Sequence, residues 1–146
     1  MLIENKIQIE AIKTREYMVA EKDRVVMVSN GKIIVYIKAK DFLLDMEKQE
    51  KLPLEGIKCY YPQTLLENKR KAKLSNRILL TSIRKLRGII DLQNDKYIWF
   101  DNAYVKMFSD CEVWIVGEGD FPCALFTRYG EAVGLVLPVR VAEEWI

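Results

Sequence analysis

Between Lys69 and Arg87 the chain places Lys69, Arg70, Lys71, Lys73, Arg77, Arg84, Lys85 and Arg87 without one intervening acid. The chemistry that suits such a run is phosphate neutralisation. A DNA duplex presents a phosphate charge about every 1.7 Å of its axis, and a row of cations releases the counterions condensed there. Contacts of this kind hold a protein on the backbone without reading sequence. The competing reading is a solvated surface, balanced elsewhere in the fold by acids such as Asp41, Asp45, Glu47 and Glu50.

Other chemistries find little support. The chain has no histidine, which removes the commonest general base, the usual zinc ligand and every imidazole triad. Cys59, Cys111 and Cys123 are widely separated and form no CxxC. Reduced, mostly packed thiols are expected, not a disulfide framework or a zinc cluster. Asp91, Asp95 and Asp101 lack a calcium-loop pattern. Gly117-Glu-Gly-Asp120 lacks the Lys-Ser/Thr of a phosphate loop and reads as a turn. An enzyme working through carboxylates would need a deep pocket converging on two acids, and no spacing singles out such a pair. The residues point to a non-enzymatic protein without metal or cofactor.

The cations need an element to carry them, and the local pattern predicts a helix over 76–87. Ser75 suits an N-cap, Leu74 and Leu79 sit at hydrophobic-staple positions, and Gly88 stands where a C′ glycine belongs. Leu79, Ile83, Leu86 and Ile90 recur as one stripe, with Arg77 and Arg84 on roughly the opposite side and Lys73 joining them if the helix starts a turn earlier.

Around it, alternation of Ile7, Ile9 and Ala11 with polar residues predicts an N-terminal strand. Arg24–Ser29 and Lys32–Ile37 flank Asn30-Gly31, the clearest hairpin signal, with a type I′ turn. A helix over 40–51, a short strand over 56–61 and a polar stretch through Asn68 follow. After the basic segment come a strand over 97–100, Asp101 as N-cap, a short helix over 102–109, and strands over 112–116, 123–128 and 132–141. The tail of this order is β-α-β-β-β. Residues 33–43 and 97–108 share a strand-then-helix grammar that hints at internal duplication.

Trp99, Phe100, Tyr104, Phe108 and Trp114 lie in apolar stretches, so burial is favoured over base stacking. Trp145, near the C-terminus, is a candidate interface anchor, with packing on its own domain as the alternative. The 146 residues fit one domain, half of them hydrophobic and 30% charged, with net charge +2. A basic surface must therefore come from clustering. The thiols and the absence of a signal-peptide pattern or an apolar run long enough to cross a bilayer lead to a cytoplasmic, non-membrane expectation.

Ile98-Trp-Phe-Asp-Asn-Ala-Tyr-Val105, then Glu112-Val-Trp-Ile-Val116, then Leu137-Pro-Val-Arg140 resembles the last repeat of the bacterial sliding clamp, the DNA polymerase III β subunit. The likeness covers about the last fifty residues; Phe100, Asp101 and Tyr104 match the helix opening, and Leu137, Pro138, Val139 and Arg140 the terminal motif. It implies a DNA-clamp-like fold of two β-α-β-β-β repeats, here about 1–68 and 69–146, in an α+β domain of antiparallel sheets with helices packed on one side. Such domains form a ring around duplex DNA, so a chain of this length would need to self-assemble as a homo-oligomer. Two departures stand out. The chain continues past Arg140 as Val-Ala-Glu-Glu-Trp-Ile146, and its first expected helix is acidic. A clamp-derived domain of phage or mobile-element type that no longer forms a ring fits both.

The expectation is a DNA-associated accessory protein for replication or recombination. It would meet the DNA backbone through the eight cations, independent of sequence, and replication or recombination proteins through Leu137, Pro138, Val139, Arg140 and Trp145. The alternative is a regulatory interaction module that docks through its C-terminal strand and tail and binds no DNA.

Overall fold

The computed structural model describes residues 2–117 and 121–142. It opens on a helix, α1 (Ile3–Thr14), where alternation had predicted a strand. Ile3, Ile7 and Ala11 recur every four residues and are buried, whereas Ile9 and Ile12 face solvent. The period is therefore helical, and the apparent alternation of Ile7, Ile9 and Ala11 is coincidental.

Strands β1 (Met18–Lys22), β2 (Val25–Ser29) and β3 (Ile33–Lys38) form a meander. The hairpin at Asn30-Gly31 forms as expected, but only Gly31 has positive φ, at 89°. A type I′ turn needs positive φ at both central residues. Instead Asn30 Oδ1 accepts from the amides of Lys32 and Ile33 and closes a longer loop.

Residues 40–51 are not the predicted helix. They form two short 3-10 turns, Ala39–Asp41 and Met46–Lys48, and a two-residue strand β4 (Glu50–Lys51). The buried Gln8 replaces the missing helical bonds: its Oε1 accepts from Leu43 N at 2.7 Å and its Nε2 donates to Asp41 O at 3.3 Å. The strand predicted over 56–61 is a 3-10 stretch, Leu54–Tyr60. The polar segment beyond it forms α2 (Pro62–Asn68), with Pro62 in the first turn, where a missing N–H costs nothing.

The basic segment is a hairpin, β5 (Arg70–Leu80) with β6 (Lys85–Asp91), and not a helix. Leu79 and Leu86, read as one helical stripe, are cross-strand partners, while Ile83 projects into solvent at the tip. Ser75 caps no helix; its Oγ accepts from Arg77 N inside a bulge between Leu74 and Ile78. Thr81 closes the turn, its Oγ1 accepting from Arg84 N and donating to Arg84 O.

From β7 (Lys96–Asp101) onward the order is as predicted. Asp101 caps α3 (Asn102–Val105) by accepting from Ala103 N, and a 3-10 turn runs to Phe108. Strands β8 (Glu112–Val116), β9 (Cys123–Arg128) and β10 (Glu131–Val136) follow. The last strand ends before Leu137, not at 141.

The ten strands of the described residues join one sheet in the order β4-β1-β2-β3-β10-β9-β8-β5-β6-β7. Every neighbouring pair is antiparallel except β1–β4, so the sheet is mixed. Helices cover both faces, and not one alone. Ile33, Val35 and Ile37 of β3 point toward α1 and α3, packing with Ile7, Val105, Phe108 and Phe126. Ile34 and Tyr36 point the other way, toward Leu65 of α2, with Leu125 and Leu135. The duplicated grammar of 33–43 and 97–108 has no topological counterpart, since β3 is interior and β7 an edge. The repeated pattern is a helix followed by a three-strand meander: α1-β1-β2-β3 and α3-β8-β9-β10, joined where β3 pairs β10. Among the described residues no helix is long and apolar enough to cross a membrane.

Candidate nucleic-acid interface

In a strand, alternate side chains leave on opposite faces, and this separates the cations. Lys71 lies opposite Trp114 of β8, and Lys73 shares a cross-strand row with Ile90 of β6 and Tyr97 of β7. Arg77 reaches the same face: its guanidinium sits 5.3 Å from the Tyr97 ring centre and 5.6 Å from that of Trp99. Just before β5, Lys69 Nζ lies 4.6 Å over the Trp114 ring. Lys69, Lys71, Lys73 and Arg77 therefore occupy one surface. Lys71, Lys73 and Arg77 are exposed.

The other four cations are placed elsewhere. Arg70 turns to the opposite face, where its Nε donates to Asp91 at 3.0 Å and its Nη1 to Gly117 O at 2.8 Å. Arg84, at the hairpin tip, lies 3.8 Å from Asp101. Arg87 donates to the carbonyl of Ser75 across the bulge. Lys85 is exposed but pairs with Leu80 on the face away from Lys71 and Lys73. The expected single row of eight thus splits into a four-residue surface and four residues that serve the hairpin or face away from it.

On β6 and β7 the positions beside Lys73 and Arg77 are Gly88, Ile90, Tyr97 and Trp99, uncharged until Asp101, which lies beside Arg84. On β8 the exposed Glu112 stands two residues from Trp114 on the same side of its strand. Asp91 points the other way and is fully buried. Burial pushes its pKa up, but hydrogen bonds from the Asn94 and Arg70 side chains and the Asn94 amide, with the Arg70 charge, outweigh this and leave it below the ordinary carboxylate value.

The aromatic rings follow the burial expectation for the most part. Trp99, Phe100 and Phe108 are buried and Tyr104 is half-buried. Trp114 is also half-buried, its Nε1 donating to Thr127 at 2.9 Å. Tyr97 is different, with 41% of its surface exposed. It stacks on Trp99 with ring centres 5.8 Å apart and planes 17° from parallel. Both rings lie over Gly88, where a Cβ would come within 2.9 Å of Tyr97 Cδ1 and 3.3 Å of Trp99 Cζ3. Sequence reasoning had not joined Tyr97 to the cations. The signal was there in the alternation Lys69, Lys71, Lys73 against Arg70, Ala72, Leu74.

Leu137, Pro138, Val139 and Arg140 form no strand but tie the loop before β3 to the edge strand β7. Leu137 N donates to Lys32 O at 3.0 Å and Val139 N to Trp99 O at 2.8 Å. Val139 and Arg140 line a cavity of about 550 Å³ with Leu80, Ile83, Arg84 and Leu86 of the hairpin tip. Leu80 and Ile83 are 70% and 77% exposed there. Trp145 lies outside the described residues.

Two of the thiols are unsuited to nucleophilic chemistry. Burial raises Cys123 to about 12, and burial with the hydrogen bond to Asp110 does the same for Cys111. Among the described residues no group of three His, Cys, Asp or Glu is placed to hold a metal ion. Comparison with protein-family models, with curated proteins and with solved structures gives no match.

Proposed function

We propose that this chain is a non-enzymatic, DNA-associated, clamp-like accessory protein for replication or recombination, which meets the phosphate backbone through the outward face of β5–β7. The observation that carries this reading is the gathering of Lys69, Lys71, Lys73 and Arg77 on one sheet face whose neighbouring positions on β6 and β7 are uncharged until Asp101. Cations at alternate positions of an extended strand track a phosphate chain without reading bases. The clamp-like part draws support from the two helix-plus-meander units, with both helices on the same face. A ring would require several copies.

The test is binding of a labelled oligonucleotide across a salt series, wild type beside Lys71→Glu/Lys73→Glu, with mass in solution measured on the same samples. Steep salt dependence, lost in the double variant, is the expected result. No binding at low salt by a folded protein would overturn the reading.

A second reading rests on a separate observation: the cavity between the hairpin tip and Val139-Arg140, with Leu80 and Ile83 standing in solvent. There the chain would act as an interaction module that docks a protein through its C-terminal segment, with no DNA role. Retention of a protein partner by the Lys71→Glu/Lys73→Glu variant and its loss in Ile83→Asp would favour this alternative.

A further inference from the structure

We infer that the ligand of the β5–β7 face is a single nucleic-acid strand and not a duplex, with a base stacked against Tyr97 and its phosphates on Lys71, Lys73 and Arg77. The inference rests on the nucleic-acid reading above and narrows it. A single strand exposes the π-faces of its bases, whereas a duplex hides them within its own stack. An exposed aromatic ring among cations is therefore useful to the first and idle toward the second.

Tyr97 is such a ring. It lies in the edge strand, in the same cross-strand row as Lys73, and remains 41% exposed although Gly88 lies beneath it. Its partners hold it in place: Trp99 stacks at 5.8 Å and the Arg77 guanidinium stands 5.3 Å from its centre. A ring already ordered loses little freedom when a base joins the stack. Of the other rings on this face, Trp99 is buried and Trp114 is half-buried and bonded to Thr127, so the exposed Tyr97 is the open platform. The sheet surface also suits a strand laid across it, with cations on β5 and the ring on β7, two strand spacings or about 10 Å away.

Fluorescence anisotropy would compare a labelled single-stranded oligonucleotide with the duplex of the same sequence, at matched salt. The proteins are wild type, Tyr97→Leu and Tyr129→Leu, the last at a 95% exposed ring in the β9–β10 turn; circular dichroism verifies folding of each. The expected result is a single strand bound at least tenfold tighter than the duplex by wild type and Tyr129→Leu. Tyr97→Leu should lose about tenfold on the single strand. Equal or tighter duplex binding, or a single strand indifferent to Tyr97→Leu, overturns the inference while leaving the backbone-binding reading standing. If neither form binds, both fall.

Discussion

Arg70 Nε donates to Asp91 Oδ2 at 3.0 Å, joining the first residue of β5 to the last residue of β6 in a site where Asp91 is fully buried. The carboxylate also accepts from Gln93 N, Asn94 N and the Asn94 side chain, so it organises the turn into β7 as well. Asp91→Ala leaves the Arg70 charge largely desolvated and should cost about 3 kcal/mol in urea unfolding.

The same carboxylate sets a pH dependence. Its folded pKa is depressed, so its contribution is complete above the unfolded-chain value near about pH 4 and disappears as pH falls through the lower folded value. Acid unfolding of wild type should be steeper in that window than acid unfolding of Asp91→Asn.

Two glycines rank differently. A Cβ at Gly134 would lie 2.3 Å from the Phe108 ring, which is itself stacked on Phe126 at 4.5 Å within the core, whereas one at Gly88 meets the Tyr97 edge at 2.9 Å. Overpacking costs about 1–3 kcal/mol, so Gly134→Ala should fall at or beyond the upper end and Gly88→Ala nearer the lower. Thermal melts of the two variants check the order.

Charge reversal should depend on face. Lys71→Glu/Lys73→Glu should lower the slope of log binding constant against log salt by about 1.5, whereas Lys85→Glu, on the opposite face, should leave it nearly unchanged. Equal effects at Lys71, Lys73 and Lys85 would mean that bulk charge, and not this surface, drives binding.

Thiol labelling should be equally selective. Cys59 is exposed, Cys111 half-buried and Cys123 buried, and the last two are raised to about 12. An aromatic disulfide reagent at about pH 8 should modify one thiol quickly in the native protein and all three only after unfolding.

Polar substitution at the hairpin tip should be tolerated. Leu80 and Ile83 are mostly in solvent, so Leu80→Ser and Ile83→Ser should shift stability by no more than about 0.5 kcal/mol. Their loss would be felt only by something that docks there.

The elements legible from sequence were those whose signals are local. Asp101 could be read as a cap because its bond to Ala103 N spans two residues. The Asn30-Gly31 hairpin and the strands from Glu112 to Arg128 announced themselves through a turn dipeptide and apolar runs. The N-terminal helix was missed because Ile9 obscured the four-residue spacing of Ile3, Ile7 and Ala11. The 40–51 segment was misread because its backbone is satisfied from a distance, by Gln8.

By itself the sequence determined the α+β class, the supply of cations without acids between Lys69 and Arg87, and the β-α-β-β-β order of its last third. Only the tertiary structure decided where those cations point. Leu79, Leu86 and Ile90 fit a helical stripe and a hairpin face equally well over a short span, and Ser75 suits a cap and a bulge alike. What tips the balance lies outside the segment: β8 pairs with the start of β5, β7 with β6 from Leu86 to Asp91, and Asp91 with Arg70. Each of those bonds exists only once the sheet is assembled, and together they turn one expected basic helix face into two faces of a ribbon.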